Sequence, residues 1–315
     1  MGKQAFVFSG QGSQKVGMGR DLYKKYDSVK KTFETANEVL GFDVASLCFY
    51  GPSDLLTATQ NAQPAILTLS VAIYNLIREL GLEPDFAAGH SLGEFSALVA
   101  AGSLSFPEGL EIVRQRGLLM SEVSNKKPGG MAAINGLSYS HVEEIVKDAS
   151  HLGLVSISNY NSPVQIVVSG ELPVINSVAE AARTAGAVKA SILEVSQAFH
   201  SPLMADVQER FGAFLGSYRF TEPIIPVVSC SDGSIMSNPE SIKENLVMQC
   251  TATVRWVDVI RSFTAMGVRQ YVEIGPGRVL TGLNRQINPE LVTYSTGDLA
   301  AILNACKKAS QQSSG

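Results

Sequence analysis

Short apolar runs alternate along this chain with longer stretches in which apolar residues recur every three or four positions. Ala5 to Phe8 reads as a first strand, Asp21 to Leu40 as a helix, Gln63 to Leu80 as a long helix and Phe86 to Ala88 as a second short strand. Phe95, Leu98, Val99 and Ala101 keep helical spacing after Ser91, and another helix is predicted from Pro107 to Val123. Strands and helices alternating in this way predict an α/β fold.

At Lys126-Lys127-Pro128-Gly129-Gly130 the rhythm changes. Met131 to Ile134 predicts a strand, Ser140 to Asp148 a helix, Leu154 to Ser158 and Val164 to Val168 two strands, Pro173 to Thr184 a helix, and Val188 to Val195 a strand. The order β-α-β-β-α-β is the ferredoxin-like arrangement, four strands in one sheet with two helices on one face. It reads as a subdomain, residues 128–196, inserted into a catalytic domain made of residues 1–127 and 197–315. Ser201-Pro202 then opens a helix, with the serine as cap and the proline at the first helical position. Val227 to Ser229 and Gln270 to Ile274 predict strands, Trp256 to Met266 a helix, and Gly275-Pro276-Gly277 a turn.

Composition narrows the classes of function. With 45% hydrophobic and 17% charged residues, 315 residues can bury a sizeable core. The formal charge of −4 supplies no overall basic field, so neither nucleic acid nor an anionic membrane surface is expected as the main partner. Cys48, Cys230, Cys250 and Cys306 lack CxxC spacing, which argues against a disulfide framework and a structural zinc site and fits a reducing cytoplasm. The amino-terminal segment lacks the apolar core of a signal peptide, and no later apolar stretch spans a bilayer. Gln311 to Gly315 read as a frayed polar tail.

The candidate chemistry starts at Gly89-His90-Ser91-Leu92-Gly93, a GxSxG between a predicted strand and a predicted helix, which is the setting of a nucleophile elbow. The alternative is a glycine-rich turn with an ordinary capping serine. A serine hydroxyl needs a base, and the chain holds four histidines. His141 and His151 fall on a polar helix and the loop after it, and His90 adjoins Ser91, where neighbouring side chains diverge, so it is placed to buttress the turn. His200 remains, just before a helix start whose dipole disfavours an imidazolium. Arg116 projects into the middle of the stripe formed by Ile112, Val113, Leu119 and Met120, so it is expected to be buried. A buried guanidinium keeps its charge and must meet an anion, which is either a substrate carboxylate or an internal Asp or Glu. Ser9-Gly10-Gln11-Gly12-Ser13-Gln14 is a second glycine-rich strand exit, either an oxyanion donor or a simple tight turn; Lys15 at the third position breaks a dinucleotide fingerprint.

Gly10 to Gln14, Gln63-Pro64-Ala65, Gly89 to Glu94, Arg116-Gly117, Ala198 to Ser201, and Gln249 followed by Val254-Arg255-Trp256 together resemble the malonyl-CoA:acyl carrier protein transacylase family over nearly the whole chain. The family includes the acyltransferase domains of polyketide synthases. The resemblance implies an α/β-hydrolase-like large domain with a ferredoxin-like insert, Ser91 as nucleophile and His200 as base. It also implies an oxyanion hole from the amides of Gln11 and Leu92, and a grip on the malonyl carboxylate by Arg116. The Gln249 carbonyl would orient the histidine, with Gln63, His90, Met120 and Phe199 in support and Phe199 crowding an α-methyl group. Malonyl-CoA and the phosphopantetheine arm of an acyl carrier protein are the implied substrates of a monomer that needs no metal or bound cofactor, in fatty-acid or polyketide synthesis. Arg278, Arg285, Lys189 and Lys307 are candidates for meeting an acidic carrier protein. A hydrolase using the same elbow, and a binding module that kept the fold, are the rival classes.

Overall fold

The computed structural model describes residues 2–193, 195 and 197–312, with side chains described as far as residue 308. Among the described residues ten strands form two sheets: β1 (Lys3–Phe8), β2 (Phe86–Gly89), β3 (Gly130–Asn135), β4 (Val155–Ser162), β5 (Gln165–Gly170), β6 (Lys189–Ile192), β7 (Val227–Val228), β8 (Ile235–Met236), β9 (Val268–Ile274) and β10 (Val292–Ser295). The larger sheet runs β10-β9-β1-β2-β7-β8, parallel except where β7 meets β8, so the chain has an α/β fold with a mixed sheet.

Alternation along β1 explains the layers, since successive side chains of a strand point to opposite faces. Phe6 and Phe8 join a core with the helices Thr59–Glu79, Gly93–Ala100, Phe106–Lys126 and Ala205–Leu215. Ala5 and Val7 join a second core with Trp256–Ala265 and Val279–Ile287. Both faces of the parallel strands are covered, as such sheets require.

The smaller sheet runs β4-β5-β3-β6, all antiparallel. Ala132, Ile134, Ile166 and Val168 pack on one face against the helices Tyr139–Ala149 and Leu172–Thr184. β4 is tied back to the larger unit: Tyr160 N–H donates to Val254 O and Val254 N–H to Ser158 O, each at 2.8 Å.

Several boundaries differ from expectation. The helix expected over Asp21 to Leu40 is two, Arg20–Lys25 and Asp27–Leu40, broken at an extended Tyr26. The long helix begins at Thr59 and carries Pro64 as its sixth residue, where the missing N–H leaves Gln60 O without its helical donor; Arg114 Nη1 donates to that carbonyl instead. Helices Val44–Tyr50, Ser53–Thr57, Pro239–Met248 and Leu299–Gln312, and strands β8 and β10, were not anticipated. Gln311 and Gln312 continue that last helix, and 313–315 lie outside the described residues. β6 ends at Ile192; Glu194, within the longer strand expected there, and Ser196, at the expected domain boundary, also lie outside them. Ser201 does not cap with its side chain: its hydroxyl donates to Ala198 O at 2.6 Å, and a short 3-10 turn, Pro202–Met204, precedes the helix Ala205–Leu215. Among the described residues no helix is long and apolar enough to cross a membrane.

Candidate functional site

Ser91 stands in the sharp turn between β2 and the helix Gly93–Ala100. His90 N–H donates to Phe8 O, which holds the turn against the end of β1. A Cβ on Gly89 would lie 1.8 Å from the carbonyl carbon of Gly93, and one on Gly93 would lie 2.1 Å from Phe8 O. Both glycines of the GxSxG pattern are therefore demanded by close approach. Among the described residues, Ser91 (φ 52°) and His200 (φ 56°) are the two non-glycine residues in the left-handed region. Such conformations cost about 1–3 kcal/mol each and persist only where the surroundings impose them.

These two residues meet. Ser91 Oγ lies 2.8 Å from His200 Nε2, and His200 Nδ1 lies 2.8 Å from Gln249 O. A carbonyl only accepts, so Nδ1 carries the proton and Nε2 is left to receive the serine hydroxyl. Burial first, and then the charge of Arg116, lower the His200 pKa to about 3, so the ring stays neutral. His141 and His151 are exposed, as expected.

Arg116 is 2% exposed, in the apolar stripe of the helix Phe106–Lys126 whose capping box joins Ser105 and Glu108. Its Nη1 donates to Gln63 Oε1 and its Nη2 to Gln249 Oε1, both at 3.0 Å, and Nη2 reaches Ser91 Oγ at 3.3 Å. Its Nε is buried without a partner. The internal Asp or Glu considered from the sequence does not reach it: among the described residues no carboxylate forms an ion pair with Arg116, and the buried Glu94 acts on it only across the Gln249 amide. Gln63 is held in turn by Gln11 Oε1 at 3.4 Å and Met120 Sδ at 3.5 Å, and Gln11 Nε2 by Thr59 Oγ1 at 3.1 Å. A cation caged by neutral amides keeps a donor edge for an incoming anion.

Ser91, His200, Arg116, Gln11, Met120 and Phe199 line one cavity of about 760 Å³. Leu92 is fully buried at the start of the elbow helix, and His90 braces the turn, its Nε2 2.9 Å from Asn161 Oδ1 and its ring against Trp256. The far wall is the face of the four-stranded sheet that carries no helices, with Met131, Ala133, Asn161, Gln165 and Val167. Among the described residues no cluster of three or more His, Cys, Asp or Glu could hold a metal.

A serine, a neutral imidazole and a waiting cation around one cavity suit acyl chemistry, and residues 5–302 match the family model of the acyl transferase domain. The chain belongs to the acyl transferase domain family. A malonyl CoA-acyl carrier protein transacylase of Bacillus subtilis is 42% identical over 299 residues, covering 95% of this chain and 94% of the relative. Among solved structures, a malonyl-transacylase in complex with a type II PKS acyl-carrier protein superposes with TM-score 0.95 at 39% identity, covering 97% of this chain and 99% of that one. An acyl carrier protein S-malonyltransferase from Vibrio cholerae gives TM-score 0.93 at 40% identity, covering 96% and 99%.

Two residues of this acyl transferase had no role from sequence. Asn161 alternates with Asn159 on β4, a polar pair on a strand that a closer reading of period two could have flagged. Glu94, in the first turn of the elbow helix, is fully buried, and burial pushes its pKa up to about 7 against the pull of its N–H donors. An acidic residue in a first turn ordinarily reads as a solvated partner of the helix dipole.

Proposed function

We propose that the protein transfers the malonyl group of malonyl-CoA to the phosphopantetheine thiol of an acyl carrier protein, through a malonyl ester on Ser91, for fatty-acid or polyketide synthesis. The observation that carries the reading is Arg116, buried within reach of Ser91 Oγ and without a carboxylate of its own. The names of the relatives and of the carrier-bound structure support it.

In this reading His200 Nε2 takes the Ser91 proton as Oγ attacks the thioester carbonyl. The main-chain amides of Gln11 and Leu92 face the oxyanion, and their position at the two strand exits supports that role. Collapse expels the CoA thiolate, which His200 protonates. The carrier thiol then gives its proton to His200 and attacks the ester, regenerating Ser91. Arg116, steadied by Gln63 and Gln249, binds the free carboxylate, while Met120 and Phe199 shape the acyl pocket. Serine, imidazole and guanidinium supply nucleophile, base and charge, so the reaction asks for no metal or bound cofactor. Residues 1–127 and 197–315 act as an α/β-hydrolase-like catalytic unit, and residues 128–196 as a ferredoxin-like insert walling the cavity; the two sheet orders support this division. The exposed Arg278, beside Val279 and Leu280 of the cavity lining, is placed for an acidic carrier protein. The setting is the cytoplasm.

Incubating the protein with malonyl-CoA and a phosphopantetheinylated carrier protein tests the reading. Malonyl-carrier formed with little free malonate is expected; malonate released as fast as CoA would make the protein a hydrolase instead.

A further inference from the structure

Glu94 is a buried carboxylate that the transfer steps leave unused. It does not line the cavity, and among the described residues no cation pairs with it. Burying an anion without a cation is costly unless donors surround it. Two do. Oε1 accepts from Cys230 N–H at 2.8 Å, and Oε2 accepts from the side-chain amide of Gln249.

That amide joins Glu94 to Ser91 and Arg116. Gln249 Nε2 also donates to the Ser91 carbonyl at 3.1 Å, and Gln249 Oε1 accepts from Arg116 Nη2 at 3.0 Å. The main-chain carbonyl of the same residue holds His200 Nδ1. A primary amide has a donor end and an acceptor end, and its neighbours decide which way it faces. With Cys230 N–H donating to Oε1, Glu94 presents Oε2 to Gln249 as an acceptor, so the NH₂ end of the amide turns to it and the oxygen end turns to Arg116. Reversed, the amide would set an N–H against the guanidinium and a carbonyl against the Ser91 carbonyl.

We propose that Glu94 is a positioning residue for acyl-group selection: its carboxylate fixes the Gln249 side-chain amide, and through it the place of Arg116 beside Ser91. This rests on the reading of Arg116 as the malonyl-carboxylate site. It also separates two roles of Gln249, whose main chain serves the base and whose side chain serves the cation.

Glu94→Gln keeps the shape but replaces one accepting oxygen by an NH₂ group, which must oppose either Cys230 N–H or Gln249 Nε2. The readout is the ratio of malonyl to acetyl loading on Ser91 from the two CoA thioesters, in which a general loss of activity cancels. It is measured in wild type, Glu94→Gln, Gln249→Met and the double variant. Each single variant is expected to lower the ratio about tenfold, and the double variant to fall no further than Gln249→Met, as for side chains in one hydrogen-bond network. A ratio unchanged in Glu94→Gln, or losses that multiply in the double variant, would overturn the proposal. Should Glu94→Gln fail to fold, an unchanged ratio in Gln249→Met does the same. A wild type with no preference for malonyl would bring down the Arg116 reading first, whereas a wild-type preference that Glu94→Gln leaves intact overturns this proposal alone.

Discussion

The half of the molecule built on the six-stranded sheet brings a hydroxyl, an imidazole and a guanidinium to the cavity, whereas the four-stranded sheet brings Met131, Ala133, Asn161, Gln165 and Val167 and, among the described residues, no ionisable side chain. The first set is fixed by strain and hydrogen bonds: two left-handed residues, a histidine held at both nitrogens, and a cation held by two glutamines. The second set meets the cavity with side chains whose neighbours on the same strands pack against two helices. The groups that react are thus fixed in place from the six-stranded half, and the four-stranded sheet supplies shape.

Breaking the first set should cost most. His200→Ala removes the base and should lower malonyl loading of Ser91 about 10³-fold with binding of malonyl-CoA little changed. Arg116→Leu should lower malonyl loading about 100-fold, the scale of lost charge-assisted hydrogen bonds, and should lower acetyl loading far less. In wild type the pH profile of malonyl loading sharpens the same point. With its pKa lowered to about 3 by burial and by Arg116, His200 should hold the rate level as pH falls through 6.5, where a free imidazole would already be protonated. The unfolded chain takes up that proton first, so this residue's contribution makes stability rise with pH between about 3 and 6.5. On the wall, Asn161→Ala deprives the partly buried His90 of its partner and should lower unfolding stability by about 1–2 kcal/mol, with loading changed only a few-fold.

The same contrast governs what the sequence could show. Ser91 was legible because its turn excludes side chains at Gly89 and Gly93, and Arg116 because one polar residue interrupts an apolar stripe. His200 was legible by elimination among four histidines, whereas the burial that lowers its pKa is invisible in a linear sequence. Gln249 meets the base through a main-chain carbonyl, which no residue type announces, so only the family resemblance pointed to it. The break at Tyr26 was hidden because Leu22, Val29 and Phe33 keep the apolar pattern across it. β8 (Ile235–Met236) sits between Gly233-Ser234 and Ser237-Asn238, and β10 (Val292–Ser295) mixes Thr293 and Ser295 into its run, so neither shows the continuous apolar run that marks β2 and β7.

The central claim is that Ser91 carries a malonyl group. Intact-mass analysis of the protein after brief exposure to malonyl-CoA, with peptide mapping, tests it most directly. The account predicts one malonyl adduct per chain, located on the peptide containing Ser91, absent from Ser91→Ala and discharged by an acyl carrier protein. Turnover of malonyl-CoA without any adduct, or an adduct that survives in Ser91→Ala, would contradict it.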